Sequence, residues 1–381
     1  MNAFKQFAAR LFGRAAVPEE KPTPELRDVS AKPAWRSLRI TRVVQETPDS
    51  RVLYLEDISG APIEFESGQF LTLAVQLPNE RLLRSYSICT APHSGAVAVG
   101  VKRVQGGRAS NYLNESAKVG DVLEARGPNG RFVLAPASQP RRVCLIAGGS
   151  GITPLLSHAR HLLEREPDTS VAMIYGNRSE SDVMFRGELE RLWERYPERF
   201  VLRHVLSEPR GGISCTRGIL DALTLRDELA RLPLGQSPET TYLVCGPEPM
   251  MDAALDTLAA AGVPRARVLE ERFVNTLTPG AGEPARLEGK EASLRLTVLA
   301  QGSEKSVSLA PGETLLDAAM RGGVVLDYSC ATGACGTCMA RLVEGSVELD
   351  EPHCLSDGER KQGMILPCVS RATSACRIQT L

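Results

Sequence analysis

Residues 330–338 read Cys330-Ala-Thr-Gly-Ala-Cys335-Gly-Thr-Cys338, and a further cysteine, Cys368, follows later in the chain. A C-x4-C-x2-C loop with a distant fourth cysteine is the plant-type ligand pattern of a [2Fe-2S] cluster. Three thiolates from one tight loop and a fourth from a separate segment can converge on two irons. The sequence therefore predicts a [2Fe-2S] centre with these four cysteines as its metal ligands.

Spacing alone leaves the fourth ligand open, because Cys354 and Cys376 flank Cys368 and each could supply the last thiolate. We favour Cys368 because it follows a short apolar run that ends at a proline. A zinc site usually pairs two closely spaced cysteine units, which a lone fourth cysteine does not match. Gly333 and Gly336 lie between the loop ligands, where the backbone must turn sharply and amide groups can point at the sulfurs.

Chain length, net charge and the lengths of apolar runs limit the class of protein. A chain of 381 residues is expected to form two or three domains. The formal net charge of -1 gives no reason to expect a nucleic-acid partner. No apolar run approaches the length of a membrane span. Thiolate ligands need a compartment that keeps cysteines reduced, so we expect a cytoplasmic protein.

Residues 1–34 read as an N-terminal extension and tether. Within residues 3–14, apolar side chains recur at helical spacing with lysine and arginine between them. One interpretation is a basic amphipathic helix that touches a membrane surface or a partner protein. The other is a frayed terminus, or a helix packed on its own protein. Residues 18–33 are expected to be flexible because they are rich in proline and charge.

Periodicity divides the rest of the chain into three domains and a linker. Residues 35–137 contain short alternating strands, which indicate a small antiparallel β-barrel. Residues 138–275 alternate apolar strands with amphipathic helices, which predicts an α/β domain with a parallel sheet. Residues 276–291 read as a linker. Residues 292–381 combine a hairpin, a helix and the cluster loop in an α+β domain.

Four short motifs stand out in the first two domains. The barrel contains Arg84-Ser-Tyr86-Ser87 and a Gly106-Gly107 turn that opens a short helix, whose N-terminus suits an anion. The α/β domain contains two loops that follow strands, at residues 148–154 and 245–251. Ligands of parallel sheets bind at the carboxyl ends of strands. Taken alone, each motif is a weak signal.

In this order the motifs resemble those of the ferredoxin–NADP reductase superfamily, R-x-Y-S, G-G-x-G-x-x-P and C-G-P-x-x-M. The resemblance implies an FAD-binding β-barrel, a nicotinamide-binding α/β domain and a plant-type ferredoxin domain of β-grasp fold. It implies that Arg84 meets the flavin pyrophosphate and that Tyr86 packs against the isoalloxazine. Ser87 and Cys245 would act at the site of hydride transfer. The Gly-Gly turn favours FAD over FMN.

The same resemblance implies the other cofactor contacts. For the flavin these come from Val101, Lys102, Gly107, Ala109 and Ser110. For the nicotinamide nucleotide they come from Gly148, Gly149, Gly151, Thr153, Pro154, Cys245, Gly246, Pro247 and Met250.

Arg178 bears on the choice between NADH and NADPH. It follows a predicted strand near the expected position of the adenosine ribose, where its planar guanidinium could pair with a 2′-phosphate. It could equally be a surface residue, so both nucleotides stay open and NADPH is favoured. His158 and His161 share one helical face without a nearby third ligand, and we expect solvated or capping residues rather than a metal site.

The domain order resembles the reductase components of multicomponent oxygenases. The likeness is greatest to the group of the phenylacetyl-CoA epoxidase and 3-ketosteroid 9α-hydroxylase reductases, whereas phthalate dioxygenase reductases share the order but use FMN. It implies electron transfer from NAD(P)H through FAD and the cluster to a partner oxygenase or hydroxylase. Alternative acceptors are a membrane-bound desaturase or hydroxylase and another metalloprotein, such as a hybrid-cluster protein. A redox sensor or assembly protein without turnover is the alternative outside enzymes.

Overall fold

The computed structural model describes residues 35–381 apart from positions 79, 136, 138, 233–239, 274–293, 301–302, 311, 325, 327, 329–332, 334–335, 351–352, 354 and 356. The predicted amphipathic segment 3–14, the tether, the linker, Cys330, Cys335 and Cys354 lie outside the described residues. Residues 35–381 cluster into one compact unit, and the domain boundaries given above stay predictions. Across the described ranges, no helix has both the length and the apolar character that crossing a membrane requires.

The first domain is an antiparallel barrel, as predicted. Its strands are β1 (Arg36–Thr47), β2 (Ser50–Asp57), β3 (Phe70–Leu77), β4 (Glu80–Ser87), β5 (Val97–Lys102) and β6 (Val122–Asn129). They pair in the order β4-β3-β6-β1-β2-β5, and a bridge between Ile88 and Val99 joins the two ends. Alternate side chains point inward, so Leu71 and Leu73 are fully buried. Helix α1 (Arg108–Glu115) packs against this core through Leu113.

The second domain is a parallel sheet with helices, also as predicted. Its strands are β7 (Arg142–Gly148), β8 (Ser170–Asn177), β9 (Phe200–Leu206), β10 (Cys215–Arg217), β11 (Thr240–Gly246) and β12 (Val268–Arg272). Its helices are α2 (Ile152–Arg165), α3 (Arg186–Arg195), α4 (Ala222–Arg231) and α5 (Glu248–Ala260). The strand order is β10-β9-β8-β7-β11-β12. The apolar run of β7 is fully buried, because helices cover both faces of a parallel sheet.

The third domain combines a mixed sheet with short helices. Its strands are β13 (Arg295–Ala300), β14 (Ser303–Ser308), β15 (Ala340–Glu344), β16 (Val347–Leu349), β17 (Met364–Ile365), β18 (Ser370–Ala372) and β19 (Cys376–Thr380). Its helices are α6 (Leu315–Arg321) and α7 (Asp357–Lys361). Five strands follow the order β14-β13-β19-β15-β17, and β16 pairs with β18. The pairing of β13 with β19 is parallel, whereas the others are antiparallel.

Hydrogen bonds join the barrel to helix α2 of the second domain. The Ser157 hydroxyl donates to the Thr90 carbonyl at 2.6 Å, and the Ser67 hydroxyl donates to the Ser157 carbonyl at 3.1 Å. The His158 ring nitrogen Nε2 lies 2.9 Å from the Phe132 carbonyl oxygen. His158 is only 2% exposed, so the expectation of a solvated or capping histidine is wrong for this residue. The seam between the two domains buries it instead.

Candidate functional site

The strand end of β4 and the start of α1 carry the predicted flavin contacts. Arg84 and Tyr86 are half-buried, and the Arg84 guanidinium donates to the Leu83 carbonyl at 2.7 Å. Burial raises the pKa of Tyr86, which stays a neutral phenol. These two side chains share a face of the strand, because residues two apart point the same way. An aromatic ring and a guanidinium are thus presented together.

Helix α1 begins without a side-chain cap on its first amides. Its N-cap residue, Gly107, is in extended conformation. The Ser110 hydroxyl accepts a hydrogen bond from the Val104 amide at 3.1 Å, which closes the turn. A Cβ on Gly107 would lie 2.6 Å from the Ser110 hydroxyl oxygen, so a side chain at this position would displace that hydroxyl. Ala109 is buried against the barrel. The arrangement suits a phosphate group at the start of the helix.

Strand β5 supplies the two remaining predicted flavin residues. The Val101 side chain is fully buried in the barrel core, so only its backbone is left for a ligand. Its carbonyl accepts from the Asn114 side-chain amide at 3.1 Å. The Lys102 ammonium lies 3.6 Å from the Asp49 carboxylate. Val101 therefore has a packing role, and its carbonyl joins the strand to the last turn of α1.

The end of β4 meets the far edge of the parallel sheet. The Ser87 hydroxyl donates a 3.0 Å hydrogen bond to Oε2 of Glu271 on β12. Glu271 lies opposite Cys245 in the register between β11 and β12. Ser87 and Cys245 are 3% and 0% exposed, respectively, and Glu271 is half-buried. The two residues predicted for hydride transfer are therefore joined through a third that the sequence did not reveal.

Burial sets the protonation of this group. It raises the pKa of Glu271 to about 8, against a lowering effect of the hydrogen bond from Ser87. Burial, and then the charge of Glu271, raises the pKa of the Cys245 thiol well above its usual value. Both shifts favour the uncharged forms of Glu271 and Cys245. Uncharged side chains of this kind can hold protons without adding charge to the site.

The two loops predicted to bind the nicotinamide, residues 148–154 and 245–251, are packed against each other. A Cβ on Gly151 would lie 2.1 Å from the Cys245 carbonyl oxygen, and one on Gly148 would lie 2.6 Å from the Met250 sulfur. A Cβ on Gly246 would meet the Met250 methyl group at 2.7 Å. This close approach leaves a shared backbone edge at the carboxyl ends of β7 and β11, where a nucleotide binds in such sheets.

Side chains hold the first of these loops in place. The Thr153 hydroxyl donates to the Ser150 carbonyl at 2.9 Å, and the Tyr175 hydroxyl donates to the Gly149 carbonyl at 2.9 Å. Pro154 is buried in the first turn of α2, and Pro247 is the exposed N-cap residue of α5. The structure thus brings the predicted nicotinamide residues together at one edge.

Arg178 lies just past the end of β8 and is bound by Asp182. Its guanidinium contacts the Asp182 carboxylate at 2.9 and 3.3 Å, and 65% of the side chain is exposed. Hydrogen bonds from Ser179 and from Arg178 lower the pKa of Asp182, against the effect of burial. The ion pair orients the guanidinium while leaving much of it accessible.

The two described cysteines of the predicted ligand set lie together. The sulfurs of Cys338 and Cys368 lie 3.3 Å apart, and the Gly333 amide points at the Cys368 sulfur at 3.3 Å. Gly333 and Gly336 have φ values of 77° and 73°, which side-chain-bearing residues rarely adopt. Cys376 is buried on β19 instead, paired opposite Leu296.

Comparison with known proteins places the chain in a family. An oxidoreductase FAD-binding domain matches residues 37–134, an oxidoreductase NAD-binding domain residues 145–256, and a 2Fe-2S iron-sulfur cluster binding domain residues 298–373. One component of the 1,2-phenylacetyl-CoA epoxidase of Escherichia coli strain K12 is 34% identical over 339 residues, covering 88% of this chain and 94% of that protein. The chain belongs to the FAD- and [2Fe-2S]-containing reductase components of oxygenases.

Two further relatives agree with this reductase family. The ferredoxin reductase component of the 3-ketosteroid-9-alpha-monooxygenase of Mycobacterium tuberculosis is 34% identical over 350 residues, covering 88% of this chain and 93% of that one. The structure of a phthalate dioxygenase reductase, 27% identical, superposes with a TM-score of 0.62 over 91% of this chain and 98% of that chain. The predicted family, fold class and cofactors are confirmed: FAD, a [2Fe-2S] cluster and NAD(P)H.

Proposed function

We propose that this reductase takes a hydride from NADPH beside Ser87, Glu271 and Cys245 and delivers single electrons through its [2Fe-2S] cluster to a terminal oxygenase or hydroxylase. The observation that carries the proposal is the 3.0 Å hydrogen bond from Ser87 to Glu271, because it joins the flavin motif to the nicotinamide edge. Bound FAD would accept two electrons with the hydride and release them singly, as a one-electron cluster requires.

Each residue of the site has a role in this proposal. The Arg84 guanidinium and the first amides of α1 supply positive potential for the flavin pyrophosphate. Tyr86 offers a ring face. Ser87 and the protonated Glu271 hold protons where the hydride arrives, and the neutral Cys245 thiol keeps a second charge out of the same place. The closely packed glycine loops orient the nicotinamide.

Cys330, Cys335, Cys338 and Cys368 are proposed as the cluster ligands. The sulfur pair at 3.3 Å and the Gly333 amide aimed at Cys368 support this choice for the described members. Cys376 is a poor fourth ligand, because strand β19 holds it within the sheet, paired opposite Leu296.

NADPH is proposed as the preferred donor because of Arg178. Its exposed guanidinium, oriented by Asp182, lies past the carboxyl end of a strand next to the nucleotide edge. A planar guanidinium suits a 2′-phosphate, which NADH lacks. The reduced cysteine ligands support a cytoplasmic location for the proposed reaction.

The acceptor class has a second candidate. The basic, apolar pattern of residues 3–14 favours a membrane-bound desaturase or hydroxylase, because such a helix would bring the reductase to the bilayer. Binding of the full chain to anionic lipid vesicles, lost on deletion of residues 1–14, would support it. A hybrid-cluster protein remains an alternative acceptor without an observation of its own.

An anaerobic titration of the holoprotein, first with NADPH and then separately with NADH, tests the proposal. We expect flavin and cluster absorption to bleach together, with NADPH effective at lower concentration. Steady reduction of cytochrome c would exclude a sensor or assembly protein without turnover. Failure of both nucleotides to bleach the flavin would contradict the proposal.

A further inference from the structure

Arg126 joins the flavin barrel to the ferredoxin domain. It lies on β6, and its guanidinium donates a 3.0 Å hydrogen bond to the carbonyl oxygen of Tyr328. The same guanidinium lies over the Tyr328 ring, 4.7 Å from its centroid. Tyr328 comes two positions before Cys330, the first proposed cluster ligand. Arg126 therefore contacts both the backbone and the side chain of Tyr328, just before the predicted cluster loop.

Trp35 supports this arginine from the barrel side. The Arg126 guanidinium carbon lies 4.5 Å from the centre of the Trp35 ring, and that of Arg81 lies 4.4 Å from it. Arg81 is also paired with Glu124 of the barrel at 2.7 Å, whereas Arg126 also contacts Tyr328 of the ferredoxin domain. Trp35 and Tyr328 thus both stack on Arg126, and such a planar cation suits stacking as lysine does not.

A second, more exposed contact lies nearby. The Arg131 guanidinium donates to Glu359 on α7 at 3.1 Å, and 60% of the Arg131 side chain is exposed. An exposed ion pair of this kind contributes little to the stability of a domain contact and is screened by salt. Domain contacts within one chain are commonly small and permit relative motion. The aromatic-flanked Arg126 is the better candidate for fixing the domain position.

Building on the electron path proposed above, we propose that Arg126 is a positioning residue for electron transfer from flavin to cluster: it fixes Tyr328, two positions before the proposed ligand Cys330, on the flavin barrel. With both cofactors bound, each transfer would move one electron from the reduced flavin to the cluster. The rate of such a transfer falls steeply with separation, so a loosened contact slows this step. Hydride transfer is proposed between the flavin barrel and the second domain, at Ser87 and Glu271, and is therefore expected not to depend on Arg126.

The test compares Arg126→Gln with the matched control Arg81→Gln in the full-length holoprotein. Both changes remove a guanidinium from Trp35, but only the first removes the contact with Tyr328. We expect Arg126→Gln to slow cluster reduction about tenfold or more and to leave flavin reduction by NADPH within about twofold. Arg81→Gln is expected to leave both rates within about twofold of the wild-type rates.

Trp35 provides a readout that does not depend on turnover. The chain has 2 tryptophans, so Trp193→Phe leaves Trp35 as the single reporter. We expect Arg126→Gln to shift Trp35 emission to the red, because the ring loses the guanidinium stacked on it and becomes more accessible to water. Small-angle scattering should show a larger radius of gyration for Arg126→Gln and an unchanged one for Arg81→Gln.

Tyr328→Leu approaches the same contact from the ferredoxin side, in case the first variant folds poorly. We expect it to slow cluster reduction in the same direction, and the double variant to be no slower than Arg126→Gln alone. Wild-type cluster reduction in both single variants would overturn the proposal. Equal slowing of flavin and cluster reduction would also overturn it, because Arg126 would then act on the barrel itself.

Discussion

Ser87 and Glu271, which lie 184 positions apart in the chain, are joined by a 3.0 Å hydrogen bond in which the serine hydroxyl donates. This bond connects the end of a barrel strand to the last strand of the parallel sheet. It places a serine, a carboxyl group and the Cys245 thiol around one position. The protonation of Glu271 should therefore influence flavin reduction.

The rate of flavin reduction is predicted to fall as the pH rises through about 8. Glu271 has a pKa raised to about 8, so it is neutral below this pH and a carboxylate above it. The carboxylate opposes the arrival of a hydride, which brings negative charge. Glu271→Gln should remove this inflection. Stopped-flow reduction by saturating NADPH across the pH range provides the measurement.

Ser87→Ala gives a further test of the same pair. The hydrogen bond from Ser87 lowers the pKa of Glu271 against the effect of burial. Without this donor the inflection should move to higher pH. A wild-type rate that stays flat through pH 8, or an inflection that persists in Glu271→Gln, would contradict the role assigned to Glu271.

Cys368→Ser is predicted to abolish electron delivery to one-electron protein acceptors while flavin reduction persists. The same result is expected for Cys335→Ser. The matched control is Cys376→Ser, because Cys376 is also buried in the third domain but lies within strand β19. Cluster absorption and cytochrome c reduction should survive in the control. Loss of the cluster in Cys376→Ser with retention in Cys368→Ser would reverse the choice of the fourth ligand.

Arg178→Gln is predicted to raise the KM for NADPH about tenfold or more and to leave the KM for NADH nearly unchanged. Arg186→Gln serves as the control, because Arg186 forms the same kind of i,i+4 ion pair, with Glu190, elsewhere in the domain. Steady-state kinetics with each nucleotide provides the measurement. An equal effect of Arg178→Gln on the KM values of both nucleotides would show that Arg178 does not recognise the 2′-phosphate.

Gly151→Ala is predicted to weaken nucleotide binding and to destabilise the protein by about 2 kcal/mol. The new Cβ would lie 2.1 Å from the Cys245 carbonyl oxygen, which belongs to the backbone and cannot rotate away. Gly187→Ala is the control, because its Cβ would have only the Arg191 guanidinium within 4 Å, at 3.6 Å. Nucleotide titration and denaturant unfolding separate the two effects. A normal nucleotide affinity in Gly151→Ala would mean that the two loops are not held in this packing.

Stability is predicted to fall as the pH drops below about 6.5 because of His158. Burial lowers the pKa of His158 from 6.5 to about 4. Between these two pH values the unfolded chain binds a proton at His158 and the folded protein does not. Between about pH 7 and pH 5 the loss should approach about 2 kcal/mol relative to His158→Gln. Urea unfolding at the two pH values checks this. Equal pH dependence in the wild type and the variant would contradict the prediction.

The domain order and most motif loops could be predicted from sequence, because their signals are local. Strand alternation in β1, the apolar run of β7 and the cysteine spacing each lie within a short stretch. Ser87 and Cys245 came from motifs of this kind. Gly333 and Gly336 were expected at sharp turns, and their positive φ values confirm it.

The contacts between domains could not be predicted from sequence. Glu271 stands in a Glu-Glu pair with no diagnostic spacing, and only the register of β12 beside β11 brings it to Cys245. The prediction of a solvated or capping His158 is wrong because helical periodicity does not show that the barrel covers this face of helix α2. Arg126 lies in a turn-like stretch, and its partner Tyr328 is 202 positions away. The contacts of Glu271, His158 and Arg126 depend on packing between segments that are distant in the chain. Sequence spacing does not reveal such packing.

The most direct test of the electron path is a rapid anaerobic mixing of the holoprotein with one equivalent of NADPH, followed by visible absorption. We expect the flavin to bleach first and the cluster to bleach afterwards as the flavin recovers. Cys368→Ser should show the first phase without the second. Cluster reduction that precedes flavin reduction, or that proceeds in protein stripped of flavin, would contradict this electron path.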